Sequence, residues 1–350
     1  AEATPAPLAA APAAEGGPGP PGAGAREAAA PVLSHGRLGD AAWPAPRCVA
    51  EAAEEARPGF SSCSADEFQD EPAVLAAKAA VLAGLLRRSK HCAAYTGAGI
   101  STSSGIRDYA TKAENSLLRS QVGAAAELEP KDAAPSEAHE VLVALRRVGL
   151  LAHWLQQNHD GLPQKAGAPQ EALNEVHGSW FDPANPVVHF RAEPRADLFA
   201  WMLEEELRAD LVLAAGTSLC DTPSTADRVV ASAVRRASEE GQHSVLGAVV
   251  VGLQQTRFDP HVQLRVYGLA DEFFALLAAE LWGSPWRAGV PPAPEEPSGV
   301  LGAAARECLG DEAGKLQPGQ LVYVSEGPFA GRASRVVARS PEGHAELDFG

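Results

Sequence analysis

The sequence has few cysteines, and none of them form a close pair. Its 350 residues contain five, at Cys48, Cys63, Cys92, Cys220 and Cys308. An odd number at such wide spacing excludes the dense disulfides of small secreted domains and gives no four-thiolate zinc cluster. A reducing compartment is therefore expected, with the nucleus or cytoplasm favoured. The localisation itself stays unknown, because a chain that starts at Ala1 could lack a targeting signal.

Long apolar runs and positive charge are also scarce. No apolar stretch approaches the roughly 20 residues that span a bilayer, so no membrane partner is expected. Lysine and arginine number 29 against 45 aspartates and glutamates, which gives a formal net charge of -16. Gripping the backbone of nucleic acid requires clustered Lys and Arg, and this balance argues against such a role for the chain as a whole.

Glycine and proline are abundant, and their distribution divides the chain. There are 33 glycines and 28 prolines. The Ala/Pro/Gly-rich residues 1–68 are predicted to be a disordered tail, because they offer little apolar surface to offset chain entropy. Residues 69–283 are predicted to fold as one catalytic domain. Residues 284–310 are read as a Pro-rich linker and residues 311–350 as a small β unit.

The folded region alternates helical and strand patterns, which is typical of an α/β domain. Apolar residues recur at helical spacing after Pro72, and Ser136 is a suitable cap for a further helix. The almost continuously apolar run from Ser244 to Val251 indicates a central strand of a parallel sheet. We therefore predict a Rossmann-like parallel sheet with helices on both faces.

Three apolar runs of this region end in polar or glycine-rich turns. Cys92 to Tyr95 is followed by Gly97, Ala98 and Gly99, where the backbone can turn close to a bound phosphate. The run from Leu150 to Leu155 is followed by Gln157, Asn158 and Asp160. The run from Ala209 to Ala215 is followed by Gly216, Thr217 and Ser218. Polar residues at the carboxyl edge of a parallel sheet indicate a ligand site, although an ordinary turn rich in Asn, Asp and Gly is an alternative for the second run.

Four motifs in this order resemble the sirtuins, the NAD-dependent protein deacylases. They are Thr96-Gly97-Ala98-Gly99-Ile100-Ser101 with Ser104-Gly105-Ile106 and Asp108-Tyr109, then Gln157-Asn158-His159-Asp160-Gly161, His177-Gly178, and Gly216-Thr217-Ser218-Leu219. The resemblance covers roughly residues 71–283. It implies that NAD lies across the carboxyl ends of the strands and that an acylated protein or peptide is the substrate.

The resemblance also implies residue roles. Asn158, Asp160 and Asp108 line the nicotinamide pocket, and Tyr109 covers the nicotinamide. Nicotinamide is displaced by the acyl-lysine carbonyl oxygen, and His177 then acts as general base on the ribose hydroxyl, with transfer of the acyl group to ADP-ribose. Ser101 belongs to the cofactor-binding glycine loop. His153, His159 and His189 match no family position and are expected to be structural.

The chain departs from the family pattern at several positions. Ala110 stands where the family has an arginine, and Gly252 where it has an asparagine that contacts the adenosine ribose. No cysteine lies between Cys92 and Cys220, so the zinc module is expected to be reduced or absent and no metal to be bound. We expect a short bend and a strand at 186–190 in its place, with apolar packing by Trp180, Phe181, Phe190, Phe199 and Trp201.

These departures leave two other functions open. The same pocket could hydrolyse NAD or transfer single ADP-ribose units without deacylation. Alternatively, the domain could be a nucleotide-binding interaction module with no catalytic activity. The presence of Gln157, Asn158, Asp160 and His177 together argues against the second alternative.

The C-terminal residues form a separate pattern of three short alternating runs around glycine turns. Pro318–Val324, Ala333–Ala338 and Ala345–Phe349 resemble a KOW motif, a piece of the small barrels found in transcription elongation factors and ribosomal proteins. Nucleic acid is a candidate partner only for this unit. Its arginines are balanced by glutamates and Asp348, so a protein contact is an equal alternative.

Overall fold

The computed structural model describes residues 33–52, 54, 64–122, 131–188, 194–219, 227–239 and 244–283, together with the strand residues 321–323, 333–339 and 345–348. The strands are β1 (Arg47–Ala50), β2 (Glu67–Gln69), β3 (Cys92–Thr96), β4 (His153–Gln156), β5 (Leu173–Glu175), β6 (Leu211–Ala215), β7 (Gly247–Val251), β8 (Leu264–Val266), β9 (Leu321–Tyr323), β10 (Ala333–Arg339) and β11 (Ala345–Asp348).

Strands β3 to β8 form a six-stranded sheet in the order β5-β4-β3-β6-β7-β8, and every neighbouring pair is parallel. The chain begins in the middle of this sheet at β3, moves outward to β5, then returns to β6 and moves to the other edge. This is the strand order of dinucleotide-binding folds, which place their ligand where the order reverses. The predicted Rossmann-like parallel sheet is confirmed.

The helices are α1 (Pro72–Arg88), α2 (Leu117–Val122), α3 (Glu137–Arg147), α4 (Leu162–Lys165), α5 (Ala196–Arg208), α6 (Arg228–Ser238) and α7 (Ala270–Trp282). Helix α1 begins at Pro72, whose fixed φ suits a first turn, and ends with Arg87 and Arg88, whose charges favour a helix C-terminus. Ser136 caps α3 by accepting from the His139 backbone. Within the described ranges, no helix combines the length and apolarity that crossing a bilayer requires.

The core has two layers, one on each face of the sheet. Alternate strand residues point to opposite faces, so Ala94 packs with α1, α3 and α7 while Tyr95 packs with α5 and α6. Strands β3, β6 and β7 are buried along their whole length. Burial on both faces explains why these strands read as continuous apolar runs rather than alternating ones.

The predicted tail boundary at residue 68 is wrong for the described residues of that stretch. Strands β1 and β2 pair antiparallel there. The backbone at 35–38 also bonds to the region of β8, since Arg37 N donates to Val262 O at 3.0 Å and Arg265 N donates to His35 O at 2.9 Å. The remainder of the predicted tail, at 1–32, 53 and 55–63, lies outside the described residues.

A buried ion pair helps to fix this N-terminal stretch, and composition gives no hint of it. Lys78 Nζ donates to Asp70 Oδ2 at 2.6 Å, and both side chains are fully buried. Tyr267 N donates to the same carboxylate oxygen at 2.8 Å. Trp43 lies under Lys78, with the ammonium 5.8 Å from the ring centroid. Desolvation lowers the pKa of Lys78 to about 8, against the opposing effect of Asp70.

The C-terminal strands form an antiparallel sheet in the order β11-β10-β9. They occur where the three alternating runs of the sequence predicted strands. The resemblance to a KOW motif stays a prediction, as do its partners. The predicted linker at 284–310 lies outside the described residues.

Two buried histidines are expected to make the fold sensitive to acid. Burial lowers the pKa of both His139 and His153 to about 4. Because an unfolded histidine titrates near 6.5, the unfolded state binds more protons between these values, and stability falls as the pH falls from about 6.5 to 4. Each histidine contributes at most about 3 kcal/mol to this loss.

Urea unfolding between pH 4 and 7 would measure the effect. His153 packs edge-on against Trp201 at 4.6 Å between ring centroids, so His153→Phe keeps the ring contact and removes the titration. That variant should show a shallower loss of stability toward pH 4 than the wild type. His261→Gln, at an exposed position, is the matched control and should keep the full slope. Equal slopes in all three proteins would contradict the account.

Candidate functional site

Four of the predicted site segments follow neighbouring strands of the sheet at the same edge. Gly97 follows β3, Gln157 follows β4, His177 comes two residues after β5, and Gly216 follows β6. The strands are parallel, so their carboxyl ends all face this edge, and β3 and β6 flank the point where the strand order reverses. Open parallel sheets bind ligands in the crevice at such a point.

The glycine loop after β3 and the turn after β6 are in direct backbone contact. Gly97 N donates to Ala215 O at 3.1 Å and Gly99 N to Gly216 O at 2.8 Å. A Cβ on Gly216, whose φ is +61°, would stand 2.4 Å from Ile100 N. Glycine is therefore needed at position 216 both for its left-handed backbone and for its close approach to the other loop.

Side chains of the next loop tie the same two segments together. Gln157 Nε2 donates to Thr217 Oγ1 at 2.9 Å, which joins the ends of β4 and β6 across the glycine loop. Asn158 Nδ2 donates to Gly97 O and to Ser101 Oγ, each at 3.0 Å. The glycine loop is thus held from both sides by predicted site residues.

Asp160 is buried, with 2% of its surface exposed, and both of its carboxylate oxygens accept hydrogen bonds. Ser101 Oγ donates to Oδ2 at 2.7 Å, and Leu162 N donates to Oδ1 at 3.0 Å. Asn158, Ser101 and Asp160 therefore form one hydrogen-bonded chain. Asp160 therefore fixes the Ser101 side chain and the start of α4.

His177 follows β5, the neighbour of the strand β4 that leads to Asn158. Gln156 pairs with Glu175 at the ends of these strands, so the two loops leave the sheet side by side. The two loops are also bonded, since His159 Nδ1 donates to Gly178 O at 2.9 Å and Trp180 N donates to His159 O at 3.0 Å. The His177 side chain is half-buried.

Residues 177–188 form a short closed hairpin. Val188 N donates to His177 O at 3.0 Å, and Ser179 N donates to Asn185 O at 2.8 Å. Gly178, with φ +87°, approaches Pro186 so closely that a Cβ would stand 2.3 Å from the Pro186 oxygen. The predicted short bend is present, but 186–188 contains no strand, and the rest of the predicted strand lies outside the described residues.

The aromatic side chains of this hairpin do not pack as expected. Trp180 and Phe181 are 48% and 53% exposed, so the prediction that they fill space inside the domain is wrong. Hydrogen bonds across the hairpin hold it instead. Phe199 is partly buried in the core, Trp201 packs on His153, and Phe190 lies outside the described residues.

Asp108 and Tyr109 lie in the segment that follows the glycine loop. Asp108 Oδ1 accepts from Thr111 N at 3.1 Å, which closes a local turn. Tyr109 is 70% exposed, and its placement over a nicotinamide stays a prediction. Ala98 and Ser218 are half-buried at the edge of the crevice.

The residues of this edge fit a dinucleotide. The N–H groups of Gly97, Gly99 and Gly216 already donate to carbonyl oxygens. The half-buried Ala98, Thr217 and Ser218 carry only small side chains, so a pyrophosphate can approach the backbone of the two loops there. Ser104 Oγ, one turn after the loop, is buried and has no hydrogen-bond partner among the described residues, as expected of a group that a ligand satisfies. At the end of β7, a Cβ on Gly252 would meet no atom within 4 Å. Across the part of the chain that the structure describes, no cluster of three metal-ligating side chains occurs.

The sequence patterns missed the polar side chains beneath the site. Trp154 Nε1 donates to Thr96 Oγ1 at 2.8 Å, and Thr96 Oγ1 donates to Gln156. All three residues are buried; Thr96 and Gln156 end β3 and β4, and Trp154 lies inside β4. Polar residues directly after the apolar runs were the available signal, but the sequence does not show that the three side chains bond to one another.

No family model matches the chain. The NAD-dependent protein deacetylase SRT1 of Oryza sativa subsp. indica is 32% identical over 247 residues, which cover 60% of this chain and 49% of that protein. The NAD-dependent protein deacetylase sirtuin-7 of Rattus norvegicus is 36% identical over 120 residues, or 33% of this chain and 29% of that protein. The chain therefore spans about half of the first relative's length and less of the second.

Solved structures give weaker similarities. One described as "Sir2-p53 peptide-NAD+" is 23% identical, with a TM-score of 0.46 and coverage of 57% of this chain and 97% of its own. Another, described as "Structural Basis for the Mechanism and Regulation of Sir2 Enzymes", is 22% identical with the same TM-score and covers 59% and 98% of the two chains.

Proposed function

We propose that this chain is a member of the sirtuin family, to whose members it is similar, and that it is an NAD-dependent protein lysine deacylase that transfers the acyl group to ADP-ribose and releases nicotinamide. The proposed substrate is an acylated protein or peptide, and the proposed catalytic residues are His177 and Asn158. The relatives' names support the reaction class.

The observation that carries the proposal is the convergence of four loops at the switch point of the sheet. The loops after β3, β4, β5 and β6 are joined by direct hydrogen bonds, from Gly99 to Gly216, from Asn158 to Gly97 and from His159 to Gly178. Cofactor residues and the proposed base are thereby held close together in the unliganded protein. Preorganisation of this kind lowers the entropic cost of reaching the transition state.

Each residue then has a role that its position supports. NAD supplies an electrophilic ribose carbon with nicotinamide as the leaving group. The Asn158–Ser101–Asp160 chain shapes the pocket next to the glycine loop. His177, half-buried on the adjacent loop, takes the proton of the ribose hydroxyl, a contribution of about 10² to 10⁴ in rate for a positioned general base.

Nicotinamide release should depend on the acylated substrate. If Asn158 and Asp160 shape a pocket whose nicotinamide is displaced by the acyl oxygen, release with an acetylated peptide should exceed release without peptide by at least about tenfold. Added nicotinamide should inhibit turnover because it occupies the same pocket. Rates would be measured by chromatography of nicotinamide, with the same peptide in unacylated form as the control.

The alternative of NAD hydrolysis gives a different result in that assay. Release at the full rate with the unacylated peptide, or with none, would contradict deacylation and favour a hydrolase. The short 177–188 hairpin is the specific observation behind this alternative, because it leaves Trp180 and Phe181 exposed beside the proposed base. Binding of NAD with no release under any condition would instead indicate a nucleotide-binding module.

A further inference from the structure

The carboxylate of Glu67 is fully buried although strand β2, which carries it, lies outside the six-stranded sheet. It accepts hydrogen bonds from Ser116 Oγ and, at 2.8 Å, from Leu117 N. Helix α2 begins at Leu117 and Ser116 directly precedes it, so Glu67 caps this helix from a distant part of the chain. The capped end lies shortly after Asp108 and Tyr109.

Gln254 holds the same stretch at its other end. Its Nε2 donates to Ala110 O at 3.0 Å and to Ala65 O at 3.4 Å. Gln254 and Glu67 are themselves neighbours, joined by an isolated antiparallel β-bridge. Residues 108–117 are called the 108–117 segment below. Two adjacent polar side chains therefore hold this segment by hydrogen bonds, one at Ala110 and one at Ser116.

Stability alone does not explain these buried polar contacts, because burying a carboxylate costs free energy of desolvation. Burial raises the pKa of Glu67, with Asp108 adding to the effect and the bonds from Ser116 and Leu117 opposing it. An apolar side chain would fill the same space without desolvating a carboxylate. The hydrogen bonds instead fix the positions of the start of α2 and of the Ala110 carbonyl group.

We propose that Glu67 and Gln254 are positioning residues that hold the 108–117 segment in the form that closes the cofactor site. The inference rests on the proposed function, because Asp108 and Tyr109 are assigned to the NAD site through the family resemblance. Glu67 then serves the site, although its strand β2 lies outside the six-stranded sheet.

Removal of either side chain should weaken NAD binding more than it slows the chemical step. Loss of a helix cap lowers the equilibrium constant for ordering the segment by up to about tenfold, so Glu67→Ala should raise KM for NAD by up to about tenfold. Gln254→Ala should act in the same direction, and Glu67→Gln, which keeps one acceptor, should fall between. KM for the acylated peptide and kcat should stay within about threefold of wild type.

Hydrogen exchange of the unliganded protein provides a readout that is independent of activity. Amides of 109–117 should exchange faster in Glu67→Ala, while those of β3 and β4 keep their protection. Glu71→Gln is the matched control, because Glu71 is an exposed glutamate four residues after Glu67 in the chain. This variant should change neither hydrogen exchange nor KM for NAD. Calorimetry with NAD would give the change in affinity directly.

Two results would overturn the inference. Unchanged hydrogen exchange at 109–117 in Glu67→Ala would show that the hydrogen bonds of Glu67 do not order the segment. Faster exchange throughout the sheet, with no recovery in Glu67→Gln, would make Glu67 a general stability residue. A wild-type protein without NAD-dependent turnover would refute the proposed function, while exchange and NAD calorimetry would still decide this inference.

Discussion

His177→Ala is expected to lower deacylation turnover by about 10² to 10⁴ while NAD affinity changes only a few fold. The reason lies in the layout of the site. His177 follows β5, whereas the loops that we assign to NAD follow β3 and β6. Removal of the imidazole leaves the contact between Gly99 and Gly216 intact. Calorimetry for NAD and turnover of an acetylated peptide, measured on the same preparation, would test the separation.

His261→Ala is the control for this experiment, since His261 is an exposed histidine whose backbone N bonds to Phe258 O at 2.8 Å. It should retain wild-type turnover. If His177→Ala lost NAD binding and activity together, His177 would be a structural residue of the hairpin rather than the base. Turnover equal to the wild type would remove it from the mechanism altogether.

Gly216→Ala is expected to disrupt the cofactor site strongly, although it adds only one methyl group. The added Cβ would stand 2.4 Å from Ile100 N and 2.7 Å from the Gly99 carbonyl carbon. Both are backbone atoms, so the two loops must move apart, and φ of +61° adds left-handed strain for alanine. We expect a loss of about 2 to 4 kcal/mol in the free energy of unfolding and at least about a hundredfold weaker NAD binding.

Two other glycines provide matched controls for this change. Gly252 follows β7 at the same edge of the sheet, and Gly84 lies inside α1. A Cβ at either position meets no atom within 4 Å. Gly252→Ala should stay within about 0.5 kcal/mol of wild type. Gly84→Ala should stabilise the protein by roughly 0.5 to 1 kcal/mol, because alanine loses less backbone entropy in a helix. A Gly216→Ala protein as stable as these controls would contradict the described contact between the loops.

The fold could be predicted from the sequence because its signals are local. The apolar runs that became β3, β6 and β7 are buried on both faces, and the glycine turns after β3 and β6 mark where the chain leaves the sheet. The positions of the site segments follow from these strands. Side-chain contacts such as Gln157 to Thr217 join residues 60 positions apart, and no periodicity reports them.

What could not be predicted depends on contacts between distant segments. The order of residues 33–50 rests on bonds to β8 and on the buried pair of Asp70 and Lys78, whereas composition at the start of the chain indicated disorder. Trp180 and Phe181 looked like core residues because they are large and apolar. They are exposed because the hairpin closes through its backbone, and amino-acid type does not encode that choice.

Mass analysis of the products tests the account most directly. The protein would be incubated with NAD and an acetyl-lysine peptide, with His177→Ala and the unacylated peptide as parallel controls. We predict equal amounts of nicotinamide, deacetylated peptide and acetylated ADP-ribose from the wild type, at least about a hundredfold less of each with His177→Ala, and no acetylated ADP-ribose with the unacylated peptide. Free ADP-ribose with the peptide still acetylated would contradict the central claim, which is that this carboxyl edge of the sheet couples cleavage of NAD to removal of the acyl group.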